Sequence, residues 1–436
     1  MADAIRRHNR IRTVFLAACT GSVANKKVSG NEQKPTPRGG MIDDLRRLPR
    51  PFYLLLAGSF INRFGHFVIP FLAIYLRQLG FEPAATGFAL AAYGAGGFFA
   101  SILGGYLADR IGRKPTLLIS CFGAAATMMT LAYARTIPEF VVGAFFSGLT
   151  TSLYYPASSS LTADLIGKEL RVRAFAVQRL VLNLATACGM MTAGLVAATS
   201  FFWLFVADAT TTVILGLIIL FGLKRGIGRK ADVAKAGWSV ALPVIARDGA
   251  FLRAVGASFC VAVVFWQTGS TLGLEVTEGA GLDEKAYGFL LGLNGIMIVF
   301  LELPLTNWTR RRDAQRVMAL GYALMGGGLA LLAFGSGAAM LVLAMVVLTI
   351  GEMISSPVAG SYMANLAPDE MRGRYMGFGA FSWNIAAGIG PMTGLWLYGM
   401  SPQILWLCCG LLGLCAAWLI LLRGKSCGAI SRSGGQ

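Results

Sequence analysis

The sequence predicts an all-α membrane protein of twelve transmembrane helices arranged as two parallel six-helix bundles. Three observations carry that expectation. Of the 436 residues, 56% are hydrophobic and only 14% charged, with a mean hydropathy of +0.64. Long apolar runs recur along the chain, and its second half repeats the first at an offset of 201 residues. A bilayer crossing takes about 20 apolar residues, so this composition supplies many crossings and leaves little for a soluble domain.

Residues 1–50 are polar, basic and without helical periodicity, which reads as a disordered cytoplasmic tail. Leu16-Ala17-Ala18-Cys19 resembles a lipoprotein cleavage box, but the apolar stretch before it falls short of the roughly 7 to 15 residues a secretory segment needs. Met41 offers an alternative start, with 1–40 as an extension of the gene. Apolar runs then fall at about 52–76, 84–108, 115–135, 138–162, 174–197 and 200–222. The second set falls at about 250–274, 285–304, 315–335, 338–362, 374–399 and 402–422. The expected organisation is a bundle over 51–222, a cytoplasmic linker over 223–249, a bundle over 250–422 and a tail over 423–436.

Twelve crossings place both termini on one side. That side receives 33 of the 38 Lys and Arg residues, so the positive-inside rule makes it cytoplasmic. Arg77, Arg135 and Lys285 fall on the other side, while Arg63 and Arg179 lie within spans. The net charge of +17 therefore reports topology in a plasma membrane, and nucleic acid is not an expected partner. The eight cysteines include no C-x-x-C pair and read as small core residues, without a metal or disulfide framework.

The repeat aligns Gly80, Gly87, Phe88, Leu90 and Gly94 with Gly281, Gly288, Phe289, Leu291 and Gly295. Further on, Pro156, Arg171, Arg173, Asn183 and Gly189 align with Pro357, Arg372, Arg374, Asn384 and Gly390. Six spans separate equivalent positions, so the halves share one orientation and are related by an axis along the membrane normal, one way secondary transporters are built.

Between the second and third spans stands Gly105-Tyr106-Leu107-Ala108-Asp109-Arg110-Ile111-Gly112-Arg113-Lys114. This run resembles the signature G-x-L-x-D-R-x-G-R-K of the major facilitator superfamily at every specified position. A weaker copy, Pro304 to Asp313, keeps basic residues without the acid. Glu370 to Gly377 and the Gly390-Pro391 pair are similar to the bacterial multidrug-efflux branch of proton antiporters. The resemblance implies alternating access, with the loop as a conformational gate. In it Asp109 latches against the helix start near Arg372 and Arg374, Gly105 permits close helix approach, and Arg113 pairs with Asp164 or Glu169. Arg110, Gly112 and Lys114 complete the gate. The chain departs from the efflux pattern in placing Ala144 where drug antiporters have a span-four Arg. Ala185, Met190 and Ala193 stand where the span-five pattern has glycine, proline and glycine.

An ionisable group at membrane depth is expensive unless solvated or paired, and is a functional candidate for that reason. Glu352, mid-span ten, is the expected proton carrier, because protonation removes the cost of burying its charge. Arg63, mid-span one, shares the central cavity by resemblance, and a permanent Arg63 to Glu352 pair is the structural alternative. Arg63, Asp208 and His66 are further proton-coupling candidates; a structural partner role is equally available to Asp208, and a hydrogen-bonded interior histidine is the commoner reading of His66. Glu302 is expected at the gate, and Glu275 and Glu278 in solvent. Substrate contacts are expected from Tyr154, Tyr155, Trp266, Gln267, Asn294, Trp383 and Asn384. An apolar, aromatic cavity suits amphipathic or cationic-lipophilic compounds better than sugars.

The function expected is proton-coupled export of small hydrophobic compounds by a monomer without cofactor, with small-molecule substrate, protons and lipid as partners. A metabolite facilitator or symporter on the same fold is the alternative. Gly424-Lys425-Ser426 resembles part of a phosphate loop, but Leu419 occupies the place of its first glycine. No H-E-x-x-H or G-x-S-x-G occurs and the histidines are His8 and His66, so an enzyme is not expected.

Overall fold

The computed structural model describes residues 48–166, 170–223, 238–309, 311–368 and 371–422. Both tails, most of the linker, Glu169 and Glu370 lie outside the described residues. Every regular element among the described residues is helical.

The first predicted span is two helices, α1 (Arg50–Phe64) and α2 (Val68–Gln78), separated at Gly65-His66-Phe67. Gly65 is required there because a Cβ would lie 2.7 Å from Cβ of Thr211. The second and third spans are α3 (Pro83–Arg110) and α4 (Arg113–Tyr133). The fourth is α5 (Ile137–Ser152) and α6 (Tyr154–Leu165), broken at Leu153. Pro156 explains that break, since its ring lacks an N–H and clashes with the carbonyl four residues back, at Ser152. Thr136 and Glu139 form a capping box that fixes where α5 begins.

The fifth and sixth spans are α7 (Arg171–Ala197) and α8 (Phe201–Gly222). A short α9 (Trp238–Ile245) occupies the described part of the linker. Asp248 then caps α10 (Gly249–Trp266) through Phe251 N at 3.0 Å. The seventh span continues as α11 (Thr271–Leu274) and a π-helical turn, Glu275–Gly279. The last five spans are α12 (Glu284–Thr309), α13 (Ala314–Ala330, extended by a 3₁₀ turn Leu331–Phe334), α14 (Ala338–Leu366), α15 (Arg372–Met400) and α16 (Pro402–Leu421).

Ten helices among the described residues are long and apolar enough to cross a membrane. The fourth predicted span fails that test because its break leaves pieces of 16 and 12 residues. The eleventh, α15, is long enough, but its Asn, Ser, Gly and Pro residues dilute its hydropathy.

The repeat is visible in the backbone. Gly80 and Gly281, 201 positions apart, both have left-handed φ, +87° and +65°, at equivalent turns. Two seams join the halves of the chain, α3 against α15 and α7 against α12. They correspond under the same offset: Gly94 meets the backbone of Gly388, and Gly295 meets that of Ala187. The largest apolar core gathers both halves near Gly80 and Gly281, where the Phe71 and Tyr287 rings are 5.0 Å apart. Cys121 and Cys409 are buried, whereas Cys188 and Cys415 are exposed, so not all cysteines serve as core filling.

Within the first half, α3 and α5 cross so closely that a Cβ on Gly148 would strike the Tyr93 carbonyl oxygen. Gly360, by contrast, has nothing within 4 Å of its missing Cβ. Gly148→Ala is therefore expected to lower the unfolding midpoint in detergent, by about 1 kcal/mol or more of overpacking. Gly360→Ala is expected to leave the midpoint unchanged or raised.

Candidate functional site

A cavity of about 360 Å³ opens among α1, α5, α6 and α7. The break between α1 and α2 positions its floor. Asn62 donates to Thr212 Oγ1 at 2.8 Å, and the buried Asp208 carboxylate accepts from Val68 N, the first amide of α2, at 3.4 Å. His66 Nδ1 lies 3.7 Å from the same oxygen of Asp208. Asp208 thus holds a free helix end as well as facing a titratable ring.

Arg63 enters the cavity from α1. Its Nε donates to Thr186 Oγ1 at 3.0 Å and one terminal nitrogen donates to the Tyr155 hydroxyl at 3.3 Å. The alternative pair with Glu352 is absent, and Arg63 forms no ion pair with any described residue. Tyr154 shares a 2.6 Å hydrogen bond with Ser59, which locks its ring to α1. Both tyrosines line the cavity.

Glu352 belongs to a second cluster, on the other half of the chain. Its Oε2 accepts from Asn294 Nδ2 at 2.9 Å, and that amide also donates to Thr349 Oγ1 at 3.0 Å. The charged groups acting on Glu352 are Glu302 and Arg179. Arg179, from α7, pairs with Glu302, from α12, across the seam between the halves. Arg179 also lines the cavity of the first half, so this pair joins the two clusters. Nothing in the sequence connects Arg179 with Glu302, since 123 residues separate them and neither lies in a motif.

Arg179 is 52% exposed and Glu302 14%, which weakens the pair through solvent screening. Arg179→Gln alone strands the Glu302 carboxylate, so it is expected to lower the unfolding midpoint by about 1 kcal/mol. The double variant with Glu302→Gln is expected to recover most of that loss in the same melting measurement.

The remaining expected contacts are scattered. Gln267 is buried and saturated: its amide nitrogen donates to the Val263 and Gly390 carbonyls, both at 2.9 Å, and its oxygen accepts from Thr271. It joins α10 to α15, with both amide hydrogens engaged and the side chain buried. Trp383 donates to Ser258 Oγ at 3.1 Å, while Asn384 bridges the halves by donating to Ser101 Oγ at 3.0 Å. The indole nitrogen of Trp266 is buried without a partner among the described residues. None of these four reaches the cavity around Arg63.

At the Gly80/Gly281 end the halves are tied together. Arg77 and Glu278, again 201 positions apart, form a two-pronged pair at 2.7 and 3.3 Å. Gln78 donates to Glu284 at 2.6 Å, and the Tyr287 hydroxyl shares its proton between the Thr268 carbonyl at 2.7 Å and the Pro70 carbonyl at 3.2 Å. Glu275, expected in solvent, is instead buried and accepts from Trp406 Nε1 at 3.0 Å. The π turn aims it inward, a placement invisible to a reading based on regular helices.

In the signature loop, Gly112 has φ +101°, a left-handed turn that favours glycine. Arg113 donates to the Ala108 carbonyl at 3.0 Å, and Arg110 to the Tyr106 hydroxyl at 2.6 Å. Lys114 donates to the Leu220 carbonyl at 2.7 Å and to that of Leu223, capping the end of α8. Arg374 is half-buried at the start of α15. The side chains of Gly105, Asp109, Asp164 and Arg372, and with them the expected latch, lie outside the described residues.

A profile of the Major Facilitator Superfamily matches residues 55–279 and 254–428. The chain is 28% identical over 406 residues to a Na(+), Li(+), K(+)/H(+) antiporter of Planococcus maritimus, covering 85% of this chain and 96% of that one. It is 27% identical over 381 residues to the multidrug resistance protein MdtH of Citrobacter koseri, covering 83% and 91%. The fold is similar to that of the nucleoside transporter NupG, with a TM-score of 0.74 at 15% identity over 85% of this chain and 99% of that one. With the internal repeat, the intact signature loop and the profile match over both halves, the chain belongs to the Major Facilitator Superfamily, a family of multi-pass membrane transporters and not of enzymes.

Proposed function

We propose that the protein is a secondary active exporter that moves small amphipathic compounds out of the cell in exchange for protons. The observation that carries this reading is Glu352, a half-buried carboxylate held by Asn294 beside the Arg179–Glu302 pair that joins the halves. With Glu352 ionised, its negative charge repels Glu302 and attracts Arg179 at the seam. With Glu352 protonated, Arg179 and Glu302 balance each other. The strength of the link between the halves thus depends on whether a proton is bound, which is what coupling requires. Asp208 with His66 is a second place where a proton can be held.

The proposed frame is twelve crossings in two parallel bundles, 51–222 and 250–422, around the linker 223–249. Both termini face the cytoplasm of a plasma membrane and the unit is a monomer. Support comes from the distribution of basic residues and from the equivalent glycine contacts of the two seams. In this orientation the Gly80/Gly281 end is the outer one and is closed. The gate of the signature loop, with Asp109, Asp164, Arg372 and Arg374, then lies at the cytoplasmic end. The similarity to a cation/proton antiporter and to a multidrug resistance protein is consistent with proton-driven export. A second reading, a metabolite facilitator or symporter, is favoured by Ala144, fully buried where drug antiporters have an arginine.

The test uses proteoliposomes containing an internal pH dye and an imposed proton gradient. Addition of an amphipathic compound is expected to trigger proton flux that protein-free vesicles lack. Compounds that move without any proton flux would replace export by exchange with facilitated transport.

A further inference from the structure

The cavity among α1, α5, α6 and α7 combines aromatic rings, Tyr154, Tyr155 and Phe175, with charged side chains. Of its lining residues only Phe175 and Leu182 lack a polar group. Two arginines, Arg63 and Arg179, line it, and no aspartate or glutamate does among the described residues. The charge of Arg179 is met across the seam by Glu302. The charge of Arg63 is not met by a carboxylate among the described residues: its two hydrogen-bond partners there, Thr186 and Tyr155, are neutral hydroxyls.

A guanidinium has five N–H donors, and these two bonds engage only part of them. A cation at membrane depth without a counter-charge is costly, and an anion that accepts two parallel N–H bonds offsets that cost most effectively. The positive cavity also repels a cationic head. We propose that the cavity binds the carboxylate head of an amphipathic substrate on Arg63, with Phe175 and Leu182 against its apolar part. The proposal rests on the reading of the chain as an exporter of amphipathic compounds and names their head group.

The test is calorimetric titration of the full chain in zwitterionic lipid nanodiscs at constant pH. The probes share one ring system: 2-naphthylacetate, neutral 2-naphthylacetamide and (2-naphthylmethyl)trimethylammonium. The carboxylate is expected to bind at least about tenfold more tightly than the other two, the range of a charge-assisted two-pronged hydrogen bond. Arg63→Gln is expected to bring the carboxylate down to the affinity of the amide without changing that of the amide. Arg63→Lys, which keeps the charge but not the fork, is expected to retain an intermediate preference, and supplies the comparison should the glutamine variant fail to fold. Equal binding of the three heads, no binding of the carboxylate, or equal weakening of carboxylate and amide by Arg63→Gln overturns the proposal. No titration uses a proton gradient, so head-group selection is judged separately from proton coupling, which the dye assay judges.

Discussion

Glu352→Gln is expected to reduce substrate-triggered proton flux to the level of protein-free vesicles while leaving exchange of substrate across the membrane, without a gradient, intact. The glutamine side chain matches the volume of glutamate and keeps a carbonyl oxygen for the Asn294 amide, now at 2.9 Å from Glu352 Oε2. The fold therefore loses little. What is lost is the ability to change charge beside Arg179 and Glu302, and with it the link between proton binding and the strength of the seam. The internal pH dye reads proton flux, and radiolabelled counterflow reads exchange in the same vesicles. Proton-coupled export that survives in Glu352→Gln with normal stability would remove Glu352 as carrier. The Asp208 and His66 pair, 3.7 Å apart, would then be the remaining candidate among the described residues.

Much of this arrangement was legible before any coordinates. The offset of 201 residues anticipated the equivalent turns at Gly80 and Gly281, because left-handed φ is a backbone demand that glycine meets in both copies. Ionisable residues inside apolar runs drew attention to Arg63, Glu352, Asp208 and Glu302. Which of them meet was not legible. A helix about 100° out in rotation sends the same residue to a different neighbour, and nothing local in the sequence fixes that rotation. Arg63 accordingly faces Thr186 and Tyr155, not Glu352, while Arg179 finds Glu302 across the seam. Gln267 and Lys114 looked functional by type, but one satisfies backbone carbonyls between helices and the other caps a helix end. A place at the outer end of the span suggests solvent for Glu275, but the π turn there leaves it buried against Trp406.

The closed outer end yields the second large effect. A Cβ on Gly194 would sit 2.7 Å from the Glu284 carbonyl oxygen and 3.0 Å from Gly288 Cα, both backbone atoms that cannot turn aside. Gly194→Val is thus a wedge in the α7–α12 seam at the end where Arg77–Glu278, Gln78–Glu284 and Tyr287–Pro70 hold the halves together. Overpacking of this kind costs about 1–3 kcal/mol, and the strain is released wherever the seam opens. Converted at 1.4 kcal/mol per tenfold, the open state should gain about 5- to 150-fold in population. The Arg77–Glu278 pair is too exposed to resist, since such a pair contributes about 0–1 kcal/mol. Distances between spin labels at positions 78 and 284 are expected to lengthen in Gly194→Val, and transport to fall as the closed state becomes scarce. An unchanged distance distribution in a correctly folded Gly194→Val protein would show that this seam does not part during transport, and would move the outer gate elsewhere.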